Sequence, residues 1–287
     1  MISAMRALTK SVLAMVGIAA SVFVAPAGAS LAATNQSFGF AIASVLPKPG
    51  DVVGVAHPVV VTFRSPVENR LAAEQALDIE SAPERTGTFE WLGNDMVQWI
   101  PDEFWPAHST VALSVGGRQT QITTGPAVVG VASISDHTFT VTIDGVEAGP
   151  PSVLPAPHHR PRWGEEGVFP ASMGRPKYPT PVGIYTVLAK ERAVVMDSST
   201  VGIPVNSPDG YHMTVDHAVR FTRRGLFVHG APWAVNSLGI DNVSHGCISL
   251  SPEDAEWYFN TVNVGDPVIV RENSLEVPSA PVMGRAS

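Results

Sequence analysis

The sequence predicts a mainly β protein: a β-sandwich, then a second β-rich region with one short helix near its end. Three observations predict it. Between residues 43 and 125, strand-length apolar runs alternate with turn residues. From residue 126 the same rhythm resumes, with Val128 to Ile134 and Thr138 to Ile143 followed by the turn Asp144-Gly145. One strong helix signature, Ser251-Pro252 with Asp254 behind it, stands near the C-terminal end.

The chain has 287 residues, enough for two modest domains. Apolar residues make up 45% and charged ones only 15%, which excludes a disordered chain. The net charge is −8 with no basic run, which argues against nucleic acid as a partner, because phosphate binding needs clustered Lys and Arg. Arg6 and Lys10, the uncharged apolar run 11–24 and Ala27-Gly28-Ala29 read as an export signal, residues 1–29, cleaved before Ser30. The run is shorter than the roughly 20 residues of a membrane span. An uncleaved signal anchor is the competing reading. Either way the chain is expected to be exported, to the periplasm or cell wall or anchored to the outer face of the plasma membrane.

In the first region Val59 to Phe63 is β-rich, and Asn69 to Leu77 reads as a helix. Thr88 to Leu92 and Met96 to Ile100 flank Gly93-Asn94-Asp95, a hairpin turn. Thr110 to Val115 and Gln119 to Thr124 flank Gly116-Gly117-Arg118, a second. Trp91, Trp99 and Trp105 read as core packing, with carbohydrate stacking as the alternative. Residues 149–167 form a Pro-rich loop whose His158-His159 lacks partners for a metal. Thr180 to Val187, Ala193 to Met196 and Leu226 to Val228 are strand candidates, the last ending at His229. Ser251 is an N-cap, Pro252 the first helical residue, and Ala255, Tyr258, Phe259 and Val262 share one helix face. Gly265-Asp266 turns into a last strand, Val268 to Val270, and residues 273–287 read as a disordered tail.

Cys247 is the only cysteine, and no internal disulfide can use it. It sits in Ser244-His245-Gly246-Cys247, with His229 eighteen positions upstream. A thiolate attacks carbonyls well, and a nearby imidazole can remove the thiol proton. His229 is the preferred base because it comes from a separate segment; His245, two residues from the nucleophile, is a supporting residue. No carboxylate follows His229 to orient it, so a backbone carbonyl takes that job. Backbone amides from His245 to Cys247 are expected to serve a developing oxyanion, Gly246 offering no side chain to block it. The helix after Pro252 is expected to favour the thiolate. Two other readings stay open on the residues alone: a buried structural cysteine, and a zinc site made by His229, His245 and Cys247.

The stretch His229 to Cys247, closed by Ser-His-Gly-Cys, resembles the signature of the L,D-transpeptidases, the YkuD-type catalytic domain. The resemblance extends over about 126–272 and includes Thr180-Pro181-Val182-Gly183-Ile184-Tyr185, Met196 to Thr200 and Ser207-Pro208-Asp209-Gly210-Tyr211. Residues 43–125, with Phe104-Trp105, are similar to the immunoglobulin-like domain preceding the catalytic domain in mycobacterial and related actinobacterial members. The resemblance implies a mostly β catalytic domain that needs no cofactor or metal. It implies that Cys247 attacks a peptidoglycan tetrapeptide stem at the diaminopimelate–D-Ala bond and forms a thioester. The side-chain amine of a second diaminopimelate then resolves it into a 3→3 cross-link. Carbapenems are the implied covalent inhibitors. By the same likeness His229 is the base and Gly230 lends backbone to the site. Tyr211, Arg224 and Gly225 match substrate-contacting positions, and Met196 to Thr200 match part of a flap over the pocket. The chain departs from the pattern at Ser249, where Asn or Arg is usual, at Val201 in place of a flap tyrosine, in the segment 149–167, and in lacking the C-terminal extension of some members. Hydrolysis by the same site (an L,D-carboxypeptidase), a zinc-dependent wall hydrolase and an inactive wall-binding protein are the alternatives.

Overall fold

The computed structural model describes residues 40–152, 154 and 165–273. The export signal, His158-His159 and the expected tail from residue 274 lie outside them. The structure is mostly β.

The first region is a two-sheet sandwich. Its elements are β1 (Ile42–Leu46), β2 (Val52–Val53), β3 (Val59–Phe63), α1 (Arg70–Leu77), β4 (Glu80–Ala82), β5 (Gly87–Trp91), β6 (Met96–Pro101), β7 (Thr110–Val115) and β8 (Arg118–Thr124). One sheet runs β1-β3-β6-β5 and the other β2-β8-β7-β4. The two-residue period of a strand explains the core. Val59, Val61 and Phe63 point inward from β3 and meet Val97, Trp99, Val111, Leu113, Val115 and Ile122. The Asn69 side chain accepts from the Ala72 amide and so starts α1 where the sequence placed it. Trp99 and Trp105 are buried, and the Trp105 indole donates to the His57 carbonyl at 2.8 Å. The Trp91 indole N–H is held by Glu74. All three tryptophans pack, as the apolar reading has it.

The second region contains β9 (Val128–Ser133), β10 (Thr138–Ile143), β11 (Val146–Glu147), β12 (Val168–Pro170), β13 (Gly183–Thr186), β14 (Ala189–Asp197), β15 (His212–Arg220), β16 (Phe227–Gly230), β17 (Ile248–Leu250), α2 (Pro252–Thr261) and β18 (Pro267–Arg271). One sheet runs β11-β10-β9-β18-β13, with β12 added on β10. The other runs β14-β15-β16-β17, and its last pair, β16 and β17, is parallel. A core of Val128, Phe139, Phe169, Val219, Val228, Ile248, Leu250, Val268 and Val270 draws on both sheets. α2 adds Ala255, Tyr258 and Phe259 to it. The Ser251 hydroxyl accepts from the Asp254 amide at 3.0 Å, which is the expected N-cap.

Two strands differ from the sequence reading. β14 runs nine residues, not the four from Ala193 to Met196, and β15 was not anticipated. Along β15 the apolar residues Met213 and Val215 do alternate, but His212, Asp216 and His217 dilute the pattern. Cross-strand pairing from Ala189↔Arg220 to Asp197↔His212 supplies what local preference lacks.

The two regions meet through backbone. The Gly54 amide donates to Val264 O at 2.9 Å and the Ala56 amide to Gly265 O at 2.8 Å. A Cβ at position 54 would lie 2.0 Å from the Asp266 nitrogen, so only glycine permits this approach.

Candidate active site

The site begins with the register of β16 on β17. Val228 pairs with Ile248, His229 with Ser249 and Gly230 with Leu250. Side chains alternate between sheet faces. Val228, Ile248 and Leu250 enter the core, so His229 and Ser249 face the other way. Cys247 stands one residue before β17, and continuing the register places it beside Phe227, whose backbone hydrogen-bonds its thiol. Cys247 and His229 therefore share a face of the sheet.

His229 is oriented by a carbonyl, the partner left open by the lack of an adjacent carboxylate. Its Nδ1 lies 2.8 Å from Gly230 O. A carbonyl only accepts, so Nδ1 carries the hydrogen and Nε2 keeps its lone pair. Burial lowers the His229 pKa, which keeps the ring neutral. The Trp233 ring stacks on it at 6.0 Å.

Cys247 is only 9% exposed, among Val215, Ala218 and Phe227 with Leu226, Met196 and Met213 against them. Burial pushes the thiol up to about 11, and the Phe227 backbone contact only partly opposes this. The resting pair is a neutral thiol and a neutral imidazole. The expected thiolate stabilisation by α2 is overridden. That helix begins beyond the whole of β17, about 10 Å along the chain, and a helix-end field fades within a turn.

The loop ahead of the thiol is held by hydroxyls. Ser244 Oγ accepts from the Gly246 amide at 3.0 Å and donates to Cys247 O at 2.7 Å. The Gly246 amide is thereby engaged, which corrects its assignment as an oxyanion donor. The buried Thr180 hydroxyl donates to Gly246 O at 2.9 Å and accepts from the Gly174 amide at 2.8 Å. Gly246 itself has φ 112°, and a Cβ there would press on Leu226 at 3.0 Å.

His245 is a wall of the site. Tyr178 stacks on it at 4.8 Å between ring centres, and Tyr211 lies at 4.9 Å. Its Nε2 is 2.8 Å from Arg175 Nη2, which can only donate. Burial and the Arg175 charge lower its pKa. The Tyr211 phenol is pushed up by burial and then by the nearby Cys247 and Asp197, which places it close to the thiol electrostatically. Met196, from β14, packs against the Cys247 cluster. Ser249 is buried, and its amide donates to Ser172 O. Gly230 ends β16 and lends its carbonyl to His229. Arg224 and Gly225 lie in the turn between β15 and β16; Arg224 is exposed, Gly225 has φ 90°, and it is Leu226 beyond them that reaches the cluster. Val201 ends a short 3-10 turn and is 53% exposed.

Arg175, Tyr178, Thr180 and Asp209 were not read as site residues. Thr180 and Asp209 do lie in stretches that carry the family resemblance, and Arg175 to Tyr178 stand out as a pair of cations beside an aromatic in a charge-poor chain. The zinc reading meets one obstacle: His245 Nε2 is taken by the Arg175 guanidinium, whereas His229 keeps Nε2 open. Among the described residues no group of three or more His, Cys, Asp or Glu could hold a metal ion.

The sandwich and the cysteine–histidine sheet face together define a wall-enzyme architecture: an immunoglobulin-like module ahead of a YkuD-type catalytic fold. The family profile for the L,D-transpeptidase catalytic domain matches residues 158–270, and that for a bacterial Ig domain matches 28–120. A relative named Probable L,D-transpeptidase 3, from Mycobacterium tuberculosis, is 68% identical over 93% of this chain and 100% of its own length. L,D-transpeptidase 1 of the same species is 50% identical over 80% of this chain and 84% of its own. The crystal structure of M. tuberculosis L,D-transpeptidase 3 superposes with a TM-score of 0.77 at 70% identity, covering 81% of this chain and 99% of that one. The chain belongs to the L,D-transpeptidase family and is an enzyme of that class.

Proposed function

We propose that this enzyme cross-links peptidoglycan stem peptides 3→3 through a thioester on Cys247, with His229 as its general base. The observation that carries this reading is the shared sheet face of Cys247 and His229, with His229 held so that Nε2 is the free acceptor. In the first half-reaction the thiol sulfur attacks the carbonyl of the diaminopimelate–D-Ala bond while its proton passes to His229 Nε2. Collapse of the tetrahedral adduct returns that proton to the departing D-Ala amine. A second diaminopimelate amine then attacks the thioester, giving its proton through His229 to the leaving sulfur. Tyr211, Met196, Ser249, Arg224 and Gly225 frame the donor, and Gly246 leaves the approach to the thiol open.

The same reading places the protein outside the plasma membrane, directed by residues 1–29. It sets the immunoglobulin-like domain at 43–125 and the catalytic domain at 126–272. No helix among the described residues is long and apolar enough to cross a membrane. Related structures contain a faropenem-derived adduct, on L,D-transpeptidase 3, and imipenem, on LdtMt1. A carbapenem therefore serves as the probe. Mass spectrometry after incubation should find one covalent adduct, on the Cys247 peptide, formed equally fast in the presence of a chelator. Adduct formation lost on chelation and restored by zinc would reverse the reading.

The pH profile follows from the neutral pair. His229 titrates below the ordinary 6.5. The base is thus present at neutral pH and is lost only as pH falls through that lowered value. Because the thiol titrates at about 11, the acylation rate should be flat from about pH 7 to about pH 9. A rate climbing about tenfold per pH unit across that interval would show attack by freely formed thiolate without proton transfer to His229, against this assignment.

A further inference from the structure

Around His245 stands a cluster of charged and aromatic groups that the reaction above does not use. Arg175 follows Gly174, which bridges Ser244, and the Arg175 amide donates to Ser244 O at 3.0 Å. Its backbone is therefore tied to the residue preceding His245. Its guanidinium Nη2 then makes two contacts: Asp209 Oδ1, and His245 Nε2 at 2.8 Å. Asp209 belongs to the loop between β14 and β15, the segment that forms the flap in the proposed site. It also receives Lys177 Nζ and, at 3.1 Å, the Tyr178 hydroxyl. Tyr178 closes the group by stacking on His245, with Arg175 5.0 Å from its ring centre.

We propose that Arg175 is a positioning residue of the acyl-transfer site: anchored by Asp209, it donates to His245 Nε2 and holds that ring as the neutral Nδ1–H tautomer between Tyr178 and Tyr211. The proposal rests on the acyl-transfer reading. It ties the flap to the loop of the nucleophile through one guanidinium. A guanidinium has donors only, so the contact exists only while Nε2 is unprotonated. The charged and titratable groups facing His245 are Arg175, Lys177 and Tyr178 from one segment, and Asp209 and Tyr211 from the other. Asp209 is held below the usual carboxylate range, first by Lys177, so the anchor stays charged across neutral pH. Burial and the Arg175 charge disfavour protonated His245 and outweigh the Asp209 carbonyl and carboxylate, which favour it. Protonation would remove the acceptor and place two cations in contact.

Nitrogen NMR of the histidine-labelled protein reads this directly. In the wild type, His245 should show an unprotonated Nε2 and titrate below 6.5, the ordinary value. In Arg175→Met the tautomer signature should weaken and the titration move upward. Carbapenem acylation should slow by about 10-fold, as a loosened wall misplaces the ligand against the thiol. Arg175→Lys should recover part of both changes, and Asp209→Asn should fall between wild type and Arg175→Met. Unchanged His245 signals in Arg175→Met overturn the proposal, as does slowed acylation without any change at His245. If Arg175→Met does not fold, the wild type still decides: a protonated Nε2 at neutral pH, or titration at or above 6.5, sinks it. The NMR readout needs no turnover, so it judges Arg175 even if Cys247 proves not to be the nucleophile.

Discussion

Replacing Cys247 with serine should abolish acyl transfer and leave the fold nearly intact. The fold claim follows from the environment. The side chain is 9% exposed and makes no disulfide. A hydroxyl of similar size fits the same space, at a cost of about 1–3 kcal/mol for a buried polar group without a full partner. The chemical claim follows from the base. A neutral imidazole already has to accept a proton from a thiol raised to about 11. A serine hydroxyl is a much weaker acid and a poorer nucleophile, and no second device in the site compensates. Loss of a positioned nucleophile commonly costs several orders of magnitude. The check is turnover on tetrapeptide donor and amine acceptor, with circular dichroism to confirm folding. More than about a tenth of wild-type turnover from a folded variant would remove Cys247 from its role.

Replacing His229 with alanine should slow carbapenem acylation far more than the same change at His245. General-base assistance contributes about 10²–10⁴-fold. His229 has the geometry for it: Nδ1 is committed to Gly230 O, so Nε2 is the basic nitrogen. His245 lacks that geometry, because its Nε2 is bonded to Arg175. The measurement is the rate of adduct formation for both variants across pH. His229→Ala should also lose the acid limb of the profile, because the group that titrates there is gone. A larger loss at His245 would mean the two histidines have been assigned in reverse. Because His229 is buried, its removal leaves a cavity, and a melting curve should accompany each rate.

Much of this architecture is legible in the chain. The hairpins of the sandwich were readable because β-rich runs flank Gly and Asn turns, a local pattern that states its own structure. The start of α2 was readable for the same reason: the Ser251 cap, Pro252 and the spacing of Ala255, Tyr258 and Phe259 lie within a few residues of one another. β15 was not readable. Its strand formers Thr214, Val215 and Val219 are diluted by His212, Asp216 and His217, and it exists because β14 and β16 pair with it on either side.

The site divides along the same line. The sequence by itself determined which residues are candidates for the chemistry: one thiol, a histidine from another segment, and a Ser-His-Gly-Cys loop. It also left a carbonyl to orient His229, since no carboxylate follows it in the sequence. Only the tertiary structure decided the protonation states and the supporting contacts. The parallel register of β16 on β17 put Cys247 and His229 on one face, and burial then made the thiol a weak acid. Ser244 claimed the amide of Gly246, and Arg175 claimed the free nitrogen of His245 from seventy residues away. The reason is physical. Residue type sets what a group can do, whereas solvation and hydrogen-bond partners set which charge state it holds. Those partners come from segments that only the fold brings together.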